Sequence, residues 1–166
     1  FFLRLSMAAA KATADHAHGI EGSSMVTAMA FNCQGFAIRV SGLGDTWFKG
    51  PHADVQAKLF DGHTEDEIAW MGGESTITET IGLGGFAQAC AFALQQYQGG
   101  SAEAMIKRNE ELYRITIGEN PDYHIPVLGY RGTPTGINIF EVCDTGILPA
   151  MDIGIAGKDG GQIGAG

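Results

Sequence analysis

The chain predicts an α+β fold, a hairpin and short strands packed on a buried helix and an antiparallel helical pair, and three patterns carry that prediction. Two β-rich runs, residues 25–31 and 36–40, are separated by Asn32-Cys-Gln-Gly35, the form of an antiparallel hairpin. Two helical patterns, over 85–96 and from Ser101 onward, are divided by Gly99-Gly100, which sets them to pack as an antiparallel pair. The other strand-like runs lack the regular strand and helix alternation of a doubly wound sheet. With 166 residues, 45% of them hydrophobic, the chain has the size of one domain with a real core. No internal repeat and no low-complexity linker divides it.

Residues 3–17 are rich in Ala, Met and Leu and free of Gly and Pro, so they favour a helix that Gly19 stops. His16 and His18 close that helix, and their i, i+2 spacing points them to different faces, which argues against a shared metal. In the hairpin, Ile38 and Val40 share one face, with Ala37 and Arg39 on the other. Residues 46–62 hold Pro51, scattered charges and short apolar groups; they read as a long loop with brief strands at Trp47-Phe48 and over 58–60. Thr64-Glu-Asp-Glu67 is an acidic first turn behind a capping threonine, predicting a short helix from Glu65 to about Trp70.

From Gly85 on, Phe86, Ala89, Cys90, Phe92, Ala93 and Leu94 occupy most of a helix's circumference, so 85–96 is predicted to be one buried, central helix. Ser101 caps the next, in which Met105, Leu112 and Tyr113 recur beside Lys107, Arg108, Glu110 and Glu111, an amphipathic and exposed pattern. Asn120-Pro121 reads as its stop, 124–128 as a strand, and Arg131-Gly-Thr-Pro-Thr-Gly136 as an exposed turn. A short helix through Phe140-Glu-Val-Cys143 follows, then a strand-like run over 147–155 and a glycine-rich tail that nothing ties down. Phe1 stands where an initiator Met is expected, so the chain reads as a single domain cut from a longer polypeptide.

A formal charge of −9 argues against a nucleic-acid backbone or an anionic membrane as partner, because both demand a basic face. The first residues lack an initiator Met, carry Arg4 inside the apolar run and pass straight into a helical pattern, which reads as neither a signal peptide nor a membrane span. Cys33, Cys90 and Cys143 are odd in number, lack CxxC spacing and sit among apolar or turn residues, as buried free thiols of a reducing cytoplasm do.

Chemistry concentrates between Gly72 and Gln88, where two carboxylates, four hydroxyls and a glycine cluster precede the apolar helix. Two readings are open. Ser75 or Thr76 caps a short helix and Gly82, Gly84 and Gly85 allow a tight turn; or Thr76, Thr78 and the amides of Gly84 and Gly85 surround a phosphate, sulfate or carboxylate. Gly82-x-Gly84-x-x-Ala87 resembles a dinucleotide fingerprint, but the acidic strand end it needs ~20 residues later falls in a helix near Arg108. A phosphate loop of the Gly-Lys-Ser/Thr type is absent, and Gly73-Glu-Ser-Thr-Ile77 lacks the second glycine of a nucleophile elbow. The sequence therefore predicts neither a cofactor nor a metal.

Glu21-Gly-Ser-Ser24, Arg39 through Asp45, Glu74 through Thr80 and Arg131-Gly-Thr-Pro-Thr135 each join a charge to small residues, a form suited to close approach by a ligand. Arg39, flanked by strand residues, is either a buried ion-pair partner or an anion ligand.

These stretches, Ala17-His-Gly-Ile-Glu-Gly-Ser-Ser24, Arg39-Val-Ser-Gly-Leu-Gly-Asp45, Ser75-Thr-Ile-Thr-Glu-Thr80, Gly84-Gly-Phe86, Asn120-Pro121, Arg131-Gly-Thr-Pro-Thr-Gly-Ile137 and Thr145-Gly-Ile-Leu-Pro149, with the Gly-Gln-Ile-Gly-Ala-Gly ending, carry a resemblance. Nearly the whole chain resembles the C-terminal part of the FdrA-associated bacterial family of unknown function, of the oxamate carbamoyltransferase large-subunit type, whose members accompany FdrA and carbamate kinase in purine and allantoin breakdown. The resemblance implies a family-specific α+β fold and a subunit of an oligomeric enzyme with an FdrA-like partner. It further implies a small anionic substrate and phosphate, with oxalurate converted to oxamate and carbamoyl phosphate. The family supplies no catalytic motif, so roles follow from chemistry. Arg39, Glu79 and Glu21 are the candidate catalytic residues; Ser23, Ser24, Thr76, Thr78, Gly84, Gly85, Arg131 and Thr133 are the candidate substrate-binding ones. In an enzyme Arg39, Glu79 and Arg131 should converge on a pocket, whereas in an interaction domain that only holds a partner they should scatter.

Overall fold

The computed structural model describes residues 2–32, 35–52, 55–69 and 73–166. The Ala-rich start forms α1 (Phe2–His16), and the predicted hairpin follows as β1 (Val26–Asn32) paired antiparallel with β2 (Gly35–Val40). Its connecting Cys33 and Gln34 lie outside the described residues. β3 (Phe48–Gly50) pairs with the other edge of β2, so the brief strand expected near Phe48 completes a three-stranded sheet.

A register shift between Val26 and Ala28 places Val26 and Met29, three residues apart, on one face and Ala28 on the other. The chain packs two cores as a result. One joins Val26 and Met29 to Phe86, Leu112, Ile115 and Ile137; the second joins Ala28 to Ala10 and Ala14 of α1 and to Ile77 and Ile81. The alanines of α1 and β1 keep that second interface thin enough for close helix-on-sheet approach.

β4 (Lys58–Leu59) comes next, then a 3₁₀ turn over Glu65–Glu67 in which the Glu67 carboxylate accepts the Thr64 N–H at 3.1 Å. The turn is shorter than the helix expected to reach about Trp70, because Ile68 is already extended; Trp70 itself lies outside the described residues. A buried 3₁₀ helix spans Ser75–Ile81.

The predicted single helix over 85–96 is two pieces, a 3₁₀ segment Gly84–Cys90 and α2 (Phe92–Gln98). Ala87 (φ −127°, ψ 21°) and Ala91 (φ −142°, ψ 61°) break it. Asn109 supplies the cause: its Oδ1 accepts the Ala89 N–H at 2.8 Å and its Nδ2 donates to the Phe86 carbonyl at 2.6 Å. Those are groups an α-helix would pair internally. Phe86 is fully buried, while Leu94 on α2 remains 46% exposed.

α3 (Ala102–Leu112) starts where Ser101 Oγ accepts the Ala104 N–H at 3.2 Å and touches α2 across the Gly99-Gly100 turn, as expected of the helical pair. It stops well before Asn120-Pro121. β5 (Thr116–Ile125) and β6 (Arg131–Ile137) form a second antiparallel hairpin, so Arg131-Gly-Thr-Pro-Thr-Gly136 is a largely buried strand and not an exposed turn. Residues that look like turn formers in isolation are small enough to press this strand on the Ser75–Ile81 helix, where Thr135 Oγ1 donates to the Thr80 carbonyl at 3.2 Å.

α4 (Ile139–Thr145) matches the predicted short helix, capped by Asn138. The run over 147–155 is irregular up to β7 (Gly154–Ala156), and the glycine-rich tail is β8 (Gln162–Ala165), the middle strand of a sheet ordered β4-β8-β7. The tail is thus tied down on both sides. Cys90 and Cys143 are exposed, contrary to the expected burial, because the broken helix turns Cys90 outward. Among the described residues no helix is long and apolar enough to cross a membrane.

Candidate functional site

A cavity of about 550 Å³ opens between the first turns of α1, the Ser75–Ile81 helix and the strand region ahead of and through β7. Leu3, Leu83, Leu94 and Ile153 give it apolar walls; Ser6, Ser75, Thr78, Glu79 and Asp152 supply the polar side chains. Among the described residues no Lys, Arg or His lines it.

Glu79 lines it and is 1% exposed. Its Oε1 accepts the Gly85 N–H at 3.1 Å and the Asp152 N–H at 3.4 Å. The Thr78 hydroxyl sits 2.9 Å from Oε2 and 2.8 Å from the Ser75 carbonyl, so it donates to one of them. That arrangement serves both ionisation states: Thr78 can donate to a carboxylate, or accept from the protonated acid while donating to Ser75.

Glycine is needed at two places around this carboxyl. A Cβ on Gly84, whose φ is +58°, would come 2.2 Å from Glu79 Oε1, and one on Gly85 would come 2.4 Å from the Ala150 backbone. Without side chains there, the Gly84–Cys90 segment closes over Glu79 and brings the Gly85 amide to it.

Burial raises the Glu79 pKa from 4.5 to about 7, and the donors from Gly85, Thr78 and Asp152 oppose that rise without cancelling it. Asp152 is also raised by burial, opposed by Gln88, whose Nε2 donates to Oδ1 at 2.5 Å. Two carboxyl groups with weakened acidity therefore share one cavity, an arrangement suited to proton transfer.

The predicted site residues do not gather as a set. Glu79, Thr78, Gly84 and Gly85 meet at the cavity. The anion that occupies the Gly85 amide is the chain's own carboxyl, so this corner does not offer the predicted group of free donors. Thr76 points elsewhere, its hydroxyl donating to the Met29 carbonyl at 2.9 Å. Thr133 is buried in β6 with no hydrogen-bond partner for Oγ1 among the described residues, packed by Gly82.

Arg39 donates to Asp45 and to His18 Nε2, the latter at 2.7 Å, and lies 5.8 Å from the Trp47 ring. Because a guanidinium only donates, His18 accepts at Nε2 and is left to donate Nδ1–H to Thr27 Oγ1 at 2.7 Å. Arg131 binds Glu119 through Nε and Nη2 at 3.0 and 2.6 Å and stacks 3.6 Å over Tyr113. Glu21 is exposed after α1; Ser23 Oγ accepts the Met25 N–H at 3.4 Å, and the Ser24 carbonyl accepts the Ile139 N–H. None of these lines the cavity, so Arg39, Glu79 and Arg131 do not converge.

Asp152 on the cavity wall, and Gln88, which donates to it from outside the lining, are residues that sequence reasoning missed. The signal available was a lone acid in the apolar run over 147–155, which calls for a buried partner.

Residues 1–75 match a family model described as oxamate carbamoyltransferase subunit AllG. The chain is 46% identical over 162 residues to the uncharacterized protein YahG of Escherichia coli K12, covering 96% of this chain and 34% of that protein. It is 41% identical over 169 residues to the oxamate carbamoyltransferase subunit AllG of the same strain, covering 100% of this chain and 40% of that one. The chain thus spans well under half the length of either relative. A crystal structure of a conserved protein of unknown function from Enterococcus faecalis V583 has the same fold, with a TM-score of 0.92 at 43% identity over 98% of this chain and 39% of that chain.

Proposed function

We propose that this chain is the C-terminal part of an AllG-type subunit of an oxamate carbamoyltransferase, acting in the cytoplasm with an FdrA-type partner, and that Glu79 handles the proton in its reaction. Phosphate attacks the carbamoyl carbon of oxalurate, a C–O bond forms, and the C–N bond to the departing oxamate breaks. The nitrogen leaves as a neutral amide only if it gains a proton. A carboxyl poised between its two ionisation states at neutral pH can give that proton and recover it in the reverse direction. Similarity to AllG along the whole chain supports the enzyme, and the buried Glu79 carboxyl on the cavity wall carries the role.

Placement of Arg39 and Arg131 in ion pairs away from the cavity favours a second reading, in which the chain is an interaction domain that holds the FdrA-type partner without touching substrate. Carbamoyl phosphate formation by the full-length protein with its partner subunits separates the two. Glu79→Gln should lower turnover by about 10²–10⁴-fold while assembly and melting stay intact. Turnover at the wild-type rate would leave only the interaction reading.

A further inference from the structure

We infer that the cavity between α1, the Ser75–Ile81 helix and β7 is a subsite for a neutral carbamoyl or ureido group, and that the anionic groups of the reactants are held by cations from outside it. This deepens the carbamoyltransferase reading and rests on it for the identity of the natural ligand.

The polar groups of the wall set the preference. Glu79 and Asp152 bring carboxyl oxygens, and among the described residues no cation faces them. A carboxylate or phosphate entering here would shed water and meet like charge where screening is weak. The backbone donors that could have offset this are occupied. The amides of Gly85 and Asp152 point at Glu79, and the Ser6 hydroxyl donates to the Leu3 carbonyl at 2.9 Å, so the wall offers an anion no charged donor, only neutral hydroxyls such as that of Ser75.

A carbamoyl group has the opposite needs. Its NH₂ offers donors to a carboxylate, and its lack of charge suits the apolar walls of Leu3, Leu83 and Leu94. Gln88 holds Asp152 by one oxygen, which orients the carboxylate to receive those donors. Arg39 and Arg131, the guanidinium groups that sequence reasoning offered for anions, are engaged with Asp45 and Glu119 on other elements. The cations must then come from another part of the longer protein or from its partner.

The test uses the full-length protein with its partner subunits and three probes: methylurea as the neutral donor, acetate and inorganic phosphate as anions. Ligand-observed NMR titrations are run on wild type and on Asp152→Asn, which turns an acceptor into a donor. Methylurea should bind saturably and weaken at least tenfold in the variant, whereas any acetate or phosphate binding should be unchanged. Gln88→Ala, which removes the group that orients Asp152, should weaken methylurea several-fold and serves if Asp152→Asn does not fold. Absent methylurea binding, binding indifferent to both variants, or acetate or phosphate binding that depends on Asp152 overturns the subsite. A complex that makes no carbamoyl phosphate yet shows this probe selectivity refutes the enzyme reading alone.

Discussion

Glu79→Gln keeps the shape of a buried side chain and removes its ionisation. In the folded protein burial lifts the carboxyl from 4.5 to about 7, whereas in the unfolded chain it returns to its ordinary range. Between those pH values the folded state holds a proton that the unfolded state has released. Stability from this group is therefore fully present below about pH 4.5 and is lost as pH rises through about 7. At about 1.4 kcal/mol for each tenfold in proton affinity, the loss is on the order of 3 kcal/mol. Glu79 is fully enclosed, so solvent does not discount that figure. Urea titrations of both proteins at about pH 5 and about pH 8 measure it, and wild type should lose on the order of 2–3 kcal/mol more than the variant across that interval. Asp152, raised by the same burial, adds a slope common to both proteins that the comparison cancels. Equal slopes would mean that Glu79 is solvated and ionised at neutral pH, and the case for it as a proton donor would fall.

Phe86→Ala, at a fully buried position of the first core, should cost about 3–5 kcal/mol. Phe92→Ala, on the half-buried α2, should cost about 1–2 kcal/mol, and equal losses in denaturant titration would contradict the broken-helix geometry. Asn109→Ala strands the Ala89 N–H and the Phe86 carbonyl and should lower stability by about 2–4 kcal/mol, measured the same way; a loss below about 0.5 kcal/mol would show that the segment re-forms as an ordinary helix.

The α+β class, α1, the first hairpin, α3 and α4 were legible because each rests on local signals: periodicity, capping residues and stop glycines. Residues 131–136 were not, since their Gly, Thr and Pro serve close packing on the Ser75–Ile81 helix and mimic turn chemistry. The break at Ala91 was hidden for a similar reason. It depends on Asn109, a polar residue of α3 that only the folded chain brings to Phe86 and Ala89. At the candidate site, the glycine and hydroxyl density of 74–85 marked a segment that lines the cavity, where the Gly85 amide meets the chain's own Glu79 and is not free for a ligand. A sequence of donors does not say whether the anion they meet is a ligand or the chain's own glutamate. Asp152 lies 73 residues beyond Glu79 and reaches it through a backbone amide, a contact to which side-chain identity contributes nothing legible.

The central position of β8 bears on how the chain folds. Lys58 pairs with Ala165 and Leu59 with Gly164, so this sheet joins the first half of the chain to its last residues. Such long loop closure is entropically slow and comes after the local helices and the β1–β2 hairpin. Gly154 and Ala156 of the cavity wall belong to that same sheet, through β7 on β8. One wall of the Glu79 cavity is therefore set only by a strand pairing that lies more than 70 residues later in the sequence. Loosening β8 would then disturb one wall around Glu79 as well as the sheet itself.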